Sequence, residues 1–549
     1  MIPDKESLAV EFKSDRGPLP DRELIETAVC LANSEGGEIY LGVEDDGSIT
    51  GLHPNHAAHF GLAAMIANRT TPPLSVAVTT LEAAGKTVLR IAVPKMRQIT
   101  ATSDGVLKRR RILPNGRPEC VPFLPHEFAT RQSTLGLLDI SAGTVAGASM
   151  DDLDPIQRAR LRQFIERNAG DRALLALEDA QLDGALGLAA RYGDAWTPTL
   201  TGLLLIGQVD SLRRLVPTHE IAFQVLHGED VRLNEFTRAP LVESLEWLET
   251  LFKPLNQEKE IQLGMFRVPA PRLDRRAFRE ALANAVIHRD YNLRGAVHVR
   301  LEGDLLTISN PGGLVDGVTI ENLLTTEPRP RNPALADACK RIGMVERTGR
   351  GVALIYRGML RYGRHRPDYS RTDAMNVVLR LHLTDPDLAF LEMILKEEDR
   401  RGEALPIDSL IALSALKEHR RITAADLAEL IGKSRASAAR ILEVLIEAGL
   451  VQPHGAARGR TYTLSPQIYR DFGEEVEYTR QVGFDKIQQE QMVRRHVMEH
   501  GSIRRADVMA LCRLDRNQAY RLLRKLVDQE ILKQQEKKRL AHYTAGPQF

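Results

Sequence analysis

The chain reads as a multidomain protein of mixed α/β class. Three observations predict this. Its 549 residues exceed what one hydrophobic core serves, so the length implies about three or four domains. Strand and helix patterns alternate over residues 1–130 and again over 266–384. Beyond residue 400 one helical pattern occurs twice.

The first unit opens with "AVEFK", a short strand that sets Val10 and Phe12 on one face and Glu11 and Lys13 on the other. The helical stretch "DRELIETAVCLANSE", a tight "GG", the apolar strand "EIYLGV" and the turn "EDDGSI" follow. Further on, "HFGLAAMIANRTTPP" reads as helix, and "LSVAVTTL" and "KTVLRIAVP" read as strands. An Ala/Gly/Ser-rich bridge at 140–150 leads to "SMDDLDPIQRARLRQFIERN", a helix with an acidic N-terminal cap. Residues 151–265 then mix helix with two expected strands, "TGLLLIG" and "IAFQVLHG".

Residues 266–384 carry "RRAFREALANAVIHRDY", whose Phe278, Leu282, Ala285 and Val286 share one helical face, and then the strands of "AVHVRLEGDLLTISN". A helix followed by a hairpin predicts an α/β sandwich.

The repeat aligns "RRITAADLAELIGKSRASAARILEVLIEAGLV" with "GSIRRADVMALCRLDRNQAYRLLRKLVDQEIL". A constant offset pairs Ile422 with Ile503, Asp426 with Asp507, Arg435 with Arg516, Ala438 with Ala519 and Arg440 with Arg521. Each copy runs helix, turn, helix and hairpin, the order of a winged helix-turn-helix. Arg435, Arg440, Arg516 and Arg521, with Ser434, Ser437, Asn517 and Gln518, fall on the second helices, where such side chains suit phosphates and base edges. Winged helices also serve as docking or dimerisation modules, so nucleic acid is one of two expected partners.

Bulk charge decides nothing, since 74 Lys and Arg stand against 73 Asp and Glu. Three basic stretches remain: "KRRR" at 108–111, the "RPRNP" neighbourhood and the tail from 494 to 539. The start "MIPDKESLAVEFKSD" is no apolar leader, and no run of about 18 apolar residues occurs, so a cytoplasmic protein without a membrane span is expected. Cys30, Cys120, Cys339 and Cys512 are widely spaced and form no metal-like motif, which predicts reduced thiols and no zinc site.

In "EALANAVIHRD", Glu280, Asn284 and His288 recur every four residues and share a polar helix face. A carboxylate one turn before an amide suits a water activated beside a magnesium ion. Downstream, "SNPGGL" and "ERTGRGV" place glycines where backbone approaches a nucleotide. "IGKS" lacks the first glycine of a phosphate loop, and "HRD" lacks the other kinase elements.

Taken together, this set resembles the divergent GHKL-type (Bergerat-fold, RecG C-terminal-like) ATPase domain found behind Schlafen AlbA-like domains in bacterial proteins. The resemblance implies ATP with Mg²⁺, Glu280 as water-activating base, Asn284 as magnesium ligand and His288 on the same face. It places Asn310, Gly312 and Gly313 near adenine, Gly349 and Gly351 at the phosphates, and a lid within 315–345. One departure is that Asn310-Pro311 stands where better-known members carry the Asp of a D-x-G-x-G box.

The stretches "ESLAVEFK", "CLANSEGGEIYLGVEDDGSITG", "VLKRRR" and "PHEF" resemble the Schlafen AlbA-like domain. In its nuclease members two glutamates and an aspartate hold divalent metal. Carried over, these are Glu6, Glu11 and Asp45, with Glu44 and Asp46 as the alternatives to Asp45, Lys13 beside them, Mg²⁺ or Mn²⁺ as the metal, and Lys108, Arg109, Arg110 and Arg111 as backbone contacts. The non-catalytic alternative is a nucleic-acid-binding module in which Glu11 and Lys13 form a surface pair.

The expected organisation is an AlbA-like module at 1–135, a connecting α/β region at 150–265, a GHKL-like domain at 266–384 and winged helices at 385–475 and 485–549. The family architecture implies an ATP-regulated, metal-dependent endonuclease acting on RNA or DNA in phage defence or stress response. A non-enzymatic ATP-sensing transcriptional regulator and an ATP-stabilised scaffold are the competing expectations. GHKL-type domains often dimerise, so a homo-oligomer is expected.

Overall fold

Val10–Lys13 (β1), Gly37–Leu41 (β2), Ala77–Ala83 (β3) and Lys86–Val93 (β4) build a four-stranded sheet in the order β1-β2-β4-β3. The computed structural model describes residues 2–57, 59–113, 116–192, 195–228, 230–263, 266–346, 349–455, 460–465, 468, 486–512, 514, 516–535 and 541–549. Helix α1 (Asp21–Ala32) crosses between β1 and β2, which lets them pair in parallel. Its Leu24, Ile25, Ala28 and Leu31 close a core with Ile39, Leu41, Leu89 and Ile91.

The hairpin of Lys108–Ile112 (β5) and Pro118–Pro122 (β6) packs on α1. It brings Cys120 to Cys30, and a disulfide joins them with Cα atoms 5.8 Å apart. The expectation of four unpaired thiols is corrected here: the two cysteines stand 90 residues apart in sequence, and only the packing of the hairpin makes them neighbours. Cys339 and Cys512 are free and buried.

The acidic cap predicted for the next helix is present, for Asp154 accepts the Ile156 N–H at 2.8 Å and starts α2 (Pro155–Arg167). The expected strand "TGLLLIG" is instead helix α3 (Leu200–Ile206), capped by the Thr199 hydroxyl, which accepts the Gly202 N–H. Leu203 to Ile206 are buried, and a short apolar run buried all round has no period that separates strand from helix.

A five-stranded sheet follows, made of Ile221–His227 (β7), Asp230–Thr237 (β8), Val297–Glu302 (β9), Leu305–Pro311 (β10) and Asn376–His382 (β11), in the order β8-β7-β9-β10-β11. β7 pairs with β9 in parallel; the other pairs are antiparallel. Helices α4 (Arg275–His288), α5 (Pro333–Arg341) and α6 (Gly351–Leu360) complete the unit. One core runs from Leu153 to Leu383, with Phe223 of β7 and Phe278 of α4 both in it, so residue 266 falls inside a continuous core.

The repeat becomes two winged helices. The first has α7 (Ala424–Ile431), α8 (Arg435–Glu447) and a three-stranded sheet of Ile422–Thr423, Thr461–Leu464 and Val451–His454. The second has α9 (Arg505–Cys512), α10 (Arg516–Asp528) and the same strand order. The aligned aspartates have one job: Asp426 accepts the Thr423 N–H and Asp507 the Arg504 N–H, both at 2.8 Å. Among the described residues no helix is long and apolar enough to cross a membrane.

Candidate nucleotide-binding site

Helix α4 is started by Asp274, whose carboxylate accepts the N–H groups of Arg276 and Ala277. From it Glu280, Asn284 and His288 face a cavity of about 540 Å³, a volume suited to a nucleotide-sized ligand. Asn310, Gly313, Gly349 and Gly351 line the same cavity. Residues drawn from "EALANAVIHRD", "SNPGGL" and "ERTGRGV" therefore meet, although 71 positions separate Glu280 from Gly351 in the sequence.

Glu280 is buried, and its Oε1 accepts the Glu346 N–H at 2.7 Å. Burial pushes its carboxyl above the usual carboxylate range, against the pull of that N–H. His288 is driven the other way, down to about 4, by burial and the Arg331 charge. It is a neutral imidazole at physiological pH.

The glycines are set by close approach. A Cβ on Gly351 would stand 2.5 Å from Glu280 Oε2 and 3.7 Å from Asn284 Nδ2. Gly349 has φ +74° and faces Pro328 across the cavity wall, and Gly312, at φ +95°, abuts Asp290 Cβ. Gly312 does not itself line the cavity; its N–H donates to Met375 O and fixes the turn. Arg347 and Thr348 of the second glycine stretch lie outside the described residues.

Sequence reasoning did not assign Lys340 and Arg350 to this wall and read Arg329 only as part of a basic stretch. Arg329, Lys340 and Arg350 line the cavity and are exposed, the type of charge that polyphosphate attracts. Arg331, read as part of a basic patch, is buried: it donates to His288 O, Gly313 O and Thr134 Oγ1, pinning the first glycine turn to the end of α4.

The wall segment also touches its neighbours. Asp316 pairs with Lys95 of the first unit at 2.5 Å, and its N–H donates to Thr134 O. Leu324, another cavity residue, packs on the core of the first winged helix. Helix α6 starts in the cavity at Gly351 and ends at Leu360, which is 1% exposed inside that winged-helix core.

In the first unit, Glu6 Oε1 accepts the Phe12 N–H at 2.9 Å, and its carboxyl is raised, chiefly by burial and also by the neighbouring Glu11 carboxylate. Glu11 is also ion-paired to Arg110 and, at 3.1 Å, to Lys13, which in turn reaches Glu23. Asp45 is exposed in its turn, while its neighbour Glu44 is the acid that accepts the Ser14 hydroxyl. Among the described residues no group of three or more His, Cys, Asp or Glu is arranged to hold a metal ion. With Glu11 neutralised by two cations and Asp45 turned outward, Glu6, Glu11 and Asp45 do not fit a divalent-metal triad.

The basic run is largely spent on the fold. Lys108 pairs with Glu26, Arg109 with Glu127, and Arg110 is buried against Glu11, Ser7 O and Val10 O. This corrects the expectation for Arg110, which no phosphate reaches; Arg111 is exposed. Arg435, Arg440, Arg516 and Arg521 are exposed on α8 and α10. The Asn517 side chain lies outside the described residues.

Comparison with known proteins matches four segments of the chain. Residues 6–112 match the Schlafen AlbA_2 family model, 130–222 a domain of unknown function, 295–380 the recG C-terminal model and 410–455 the IclR helix-turn-helix model. No curated protein matches the chain. Among solved structures, the DIP2311 protein from Corynebacterium diphtheriae is 24% identical, with 85% of this chain and 94% of that one covered at a TM-score of 0.52, which shows a shared fold. The N-terminal domain of a RecG-related protein from Nitrosomonas europaea is 27% identical, covering 16% of this chain and 65% of that one at a TM-score of 0.14. A MarR family transcriptional regulator from Silicibacter pomeroyi is 22% identical over 20% and 78%, at a TM-score of 0.13. The chain thus joins a segment that matches the Schlafen AlbA_2 model to a RecG C-terminal-like domain and a winged helix, a combination that supports a nucleic-acid-related ATP-binding protein.

Proposed function

We propose that ATP bound between α4 and the two glycine turns governs how the winged helices engage nucleic acid. The observation that carries this reading is α6, whose first residue lines the cavity and whose last is buried in the winged-helix core. Phosphate at a helix N-terminus meets its unpaired N–H groups and the positive end of its dipole. A shift of α6 toward that charge moves Leu360 and the winged-helix core in which it is buried.

Arg329, Lys340 and Arg350 attract the phosphates, and the neutral His288 and Asn310 lie on the same wall for the base. Asn284 would hold Mg²⁺, which when bound neutralises phosphate charge. Glu280, with its raised carboxyl, accepts the proton of an attacking water. Hydrolysis then resets the array.

The test is titration of labelled duplex DNA and of single-stranded RNA with the full chain, with and without ATP and Mg²⁺, beside Asn284→Ala. An ATP-dependent change in affinity that N284A loses supports the reading; identical curves throughout overturn it.

A second reading, cleavage of RNA or DNA in phage defence or stress response, is favoured by the neighbouring Glu6 and Glu11 carboxyls within the Schlafen AlbA_2 match. The residues in hand do not fit a metal there, so no step is drawn through one. Incubating the chain with tRNA and DNA beside Glu11→Ala decides it: products lost in E11A sustain cleavage, and intact substrate removes it. A homo-oligomer, the remaining part of this proposal, is checked by sizing with and without ATP.

A further inference from the structure

The nucleotide reading leaves one cluster unused: Cys30, Cys120, Arg110 and Glu11. We infer that Cys30–Cys120 is a dithiol-reducible switch that shares Arg110 with Glu11. Four observations carry it.

The disulfide ties α1 to β6, the outer strand of the hairpin that bears Arg109, Arg110 and Arg111. Cys30 is wholly buried, whereas Cys120 is partly exposed, so an incoming thiolate meets Cys120 Sγ and not its partner. Arg110 donates from Nη1 to Cys120 Sγ at 3.8 Å. The same guanidinium is ion-paired to Glu11 and holds Ser7 O and Val10 O through Nε and Nη2.

The chemistry is thiol–disulfide exchange with a reduced dithiol as co-reactant. One thiolate of the dithiol attacks Cys120 Sγ; the Cys30–Cys120 bond breaks, and Cys30 leaves with the electron pair and takes a proton. The second thiol of the dithiol then attacks its own sulfur in the mixed disulfide, which closes the dithiol to a disulfide and releases Cys120 as a thiolate. Two electrons have passed from the dithiol to the cysteine pair. The new anion lies beside Arg110, and a cation lowers the energy of a thiolate. Arg110 now answers to two anions, Glu11 and Cys120, where it answered to one.

Reduction therefore does two things at one place. It removes the covalent tie between the hairpin and α1, and it draws Arg110 from Glu11, leaving the Glu6–Glu11 pair short of positive charge. The state of the cysteines is thereby read out at the acidic pair of the first unit.

The test uses the full chain equilibrated in buffers of reduced and oxidised dithiothreitol, followed by acid quench, maleimide tagging under denaturing conditions and mass measurement. Two tags are expected on the oxidised chain, from Cys339 and Cys512, and four on the reduced one. Glu11→Gln, which leaves Arg110 to Cys120 alone, is expected to shift the midpoint ratio several-fold toward the reduced form. A chain with four tags after oxidant, or with two at every ratio short of unfolding, overturns the switch. An E11Q midpoint equal to wild type overturns the sharing of Arg110. Cys120→Ser, with one more tag than the oxidised wild type at every ratio, fixes the count against misfolding.

Discussion

Lys95 Nζ lies 2.5 Å from Asp316 Oδ1, so a residue of the first unit holds the wall of the nucleotide cavity. Lys95 also pairs with Glu35, and the link to Lys95 lowers the Asp316 carboxyl below its ordinary value. Both side chains are partly exposed, and such pairs contribute under about 1 kcal/mol. Lys95→Met is expected to leave melting within a few degrees of wild type and to speed hydrogen exchange in the Asp316 segment that the pair holds. Because the folded Asp316 pKa is depressed, the link is present above the ordinary Asp value and is lost as pH falls through the depressed one.

Glu280→Gln separates binding from turnover. ATP affinity is expected to stay within a few-fold, while phosphate release falls by about 10²–10⁴, the usual contribution of a positioned base. Since the base works deprotonated and its carboxyl is raised, wild-type turnover drops on acidification at a higher pH than an ordinary glutamate would give. The folded state here binds the proton more readily than the unfolded chain, so stability falls as pH rises between the two values; E280Q flattens that part of the stability curve.

Gly351→Ala tests the close approach at the second glycine turn. Alanine favours a helix over glycine by about 1 kcal/mol, so the substitution alone does not unfold α6. Its Cβ would meet Glu280 Oε2 at 2.5 Å and displace the carboxylate. Calorimetry is expected to record at least about tenfold weaker ATP binding, a loss near 1.4 kcal/mol, with the melting temperature kept.

Leu360→Ala removes the far end of the same helix. Truncating a buried leucine costs about 2–5 kcal/mol, and this one sits in the winged-helix core. DNA titrations are expected to lose their ATP dependence, and Leu360→Met, which keeps the volume, to restore it.

Arg435→Ala and Arg440→Ala address nucleic acid directly. Each is expected to weaken binding and to lower the slope of log affinity against log salt by about 0.9 if it contacts a phosphate. An unchanged slope in both variants moves the contact away from α8.

The winged-helix repeat and the Glu280–Asn284–His288 face were legible in the sequence because their signals are local. Helical period puts residues four apart on one face, and a capping aspartate sits three residues from the N–H it accepts, as Asp426 and Asp507 do. The glycine turns were legible as turns, and "TGLLLIG" was misread because burial on every side erases the period. Tertiary structure alone decided the rest. It turned Arg110 inward onto Glu11, joined Cys30 to Cys120, and drew β7 and β8 from outside residues 266–384 into the central sheet. It also capped α5, where the Asp139 carboxylate and the Ser141 hydroxyl oxygen accept the Ala334 and Leu335 N–H groups at 2.8 and 3.1 Å. A charged side chain's partner is set by packing over distances along the chain that no local pattern encodes, so the sequence named Glu280, Asn284, His288 and the glycine turns, and folding chose which charges line the cavity, pair or face water.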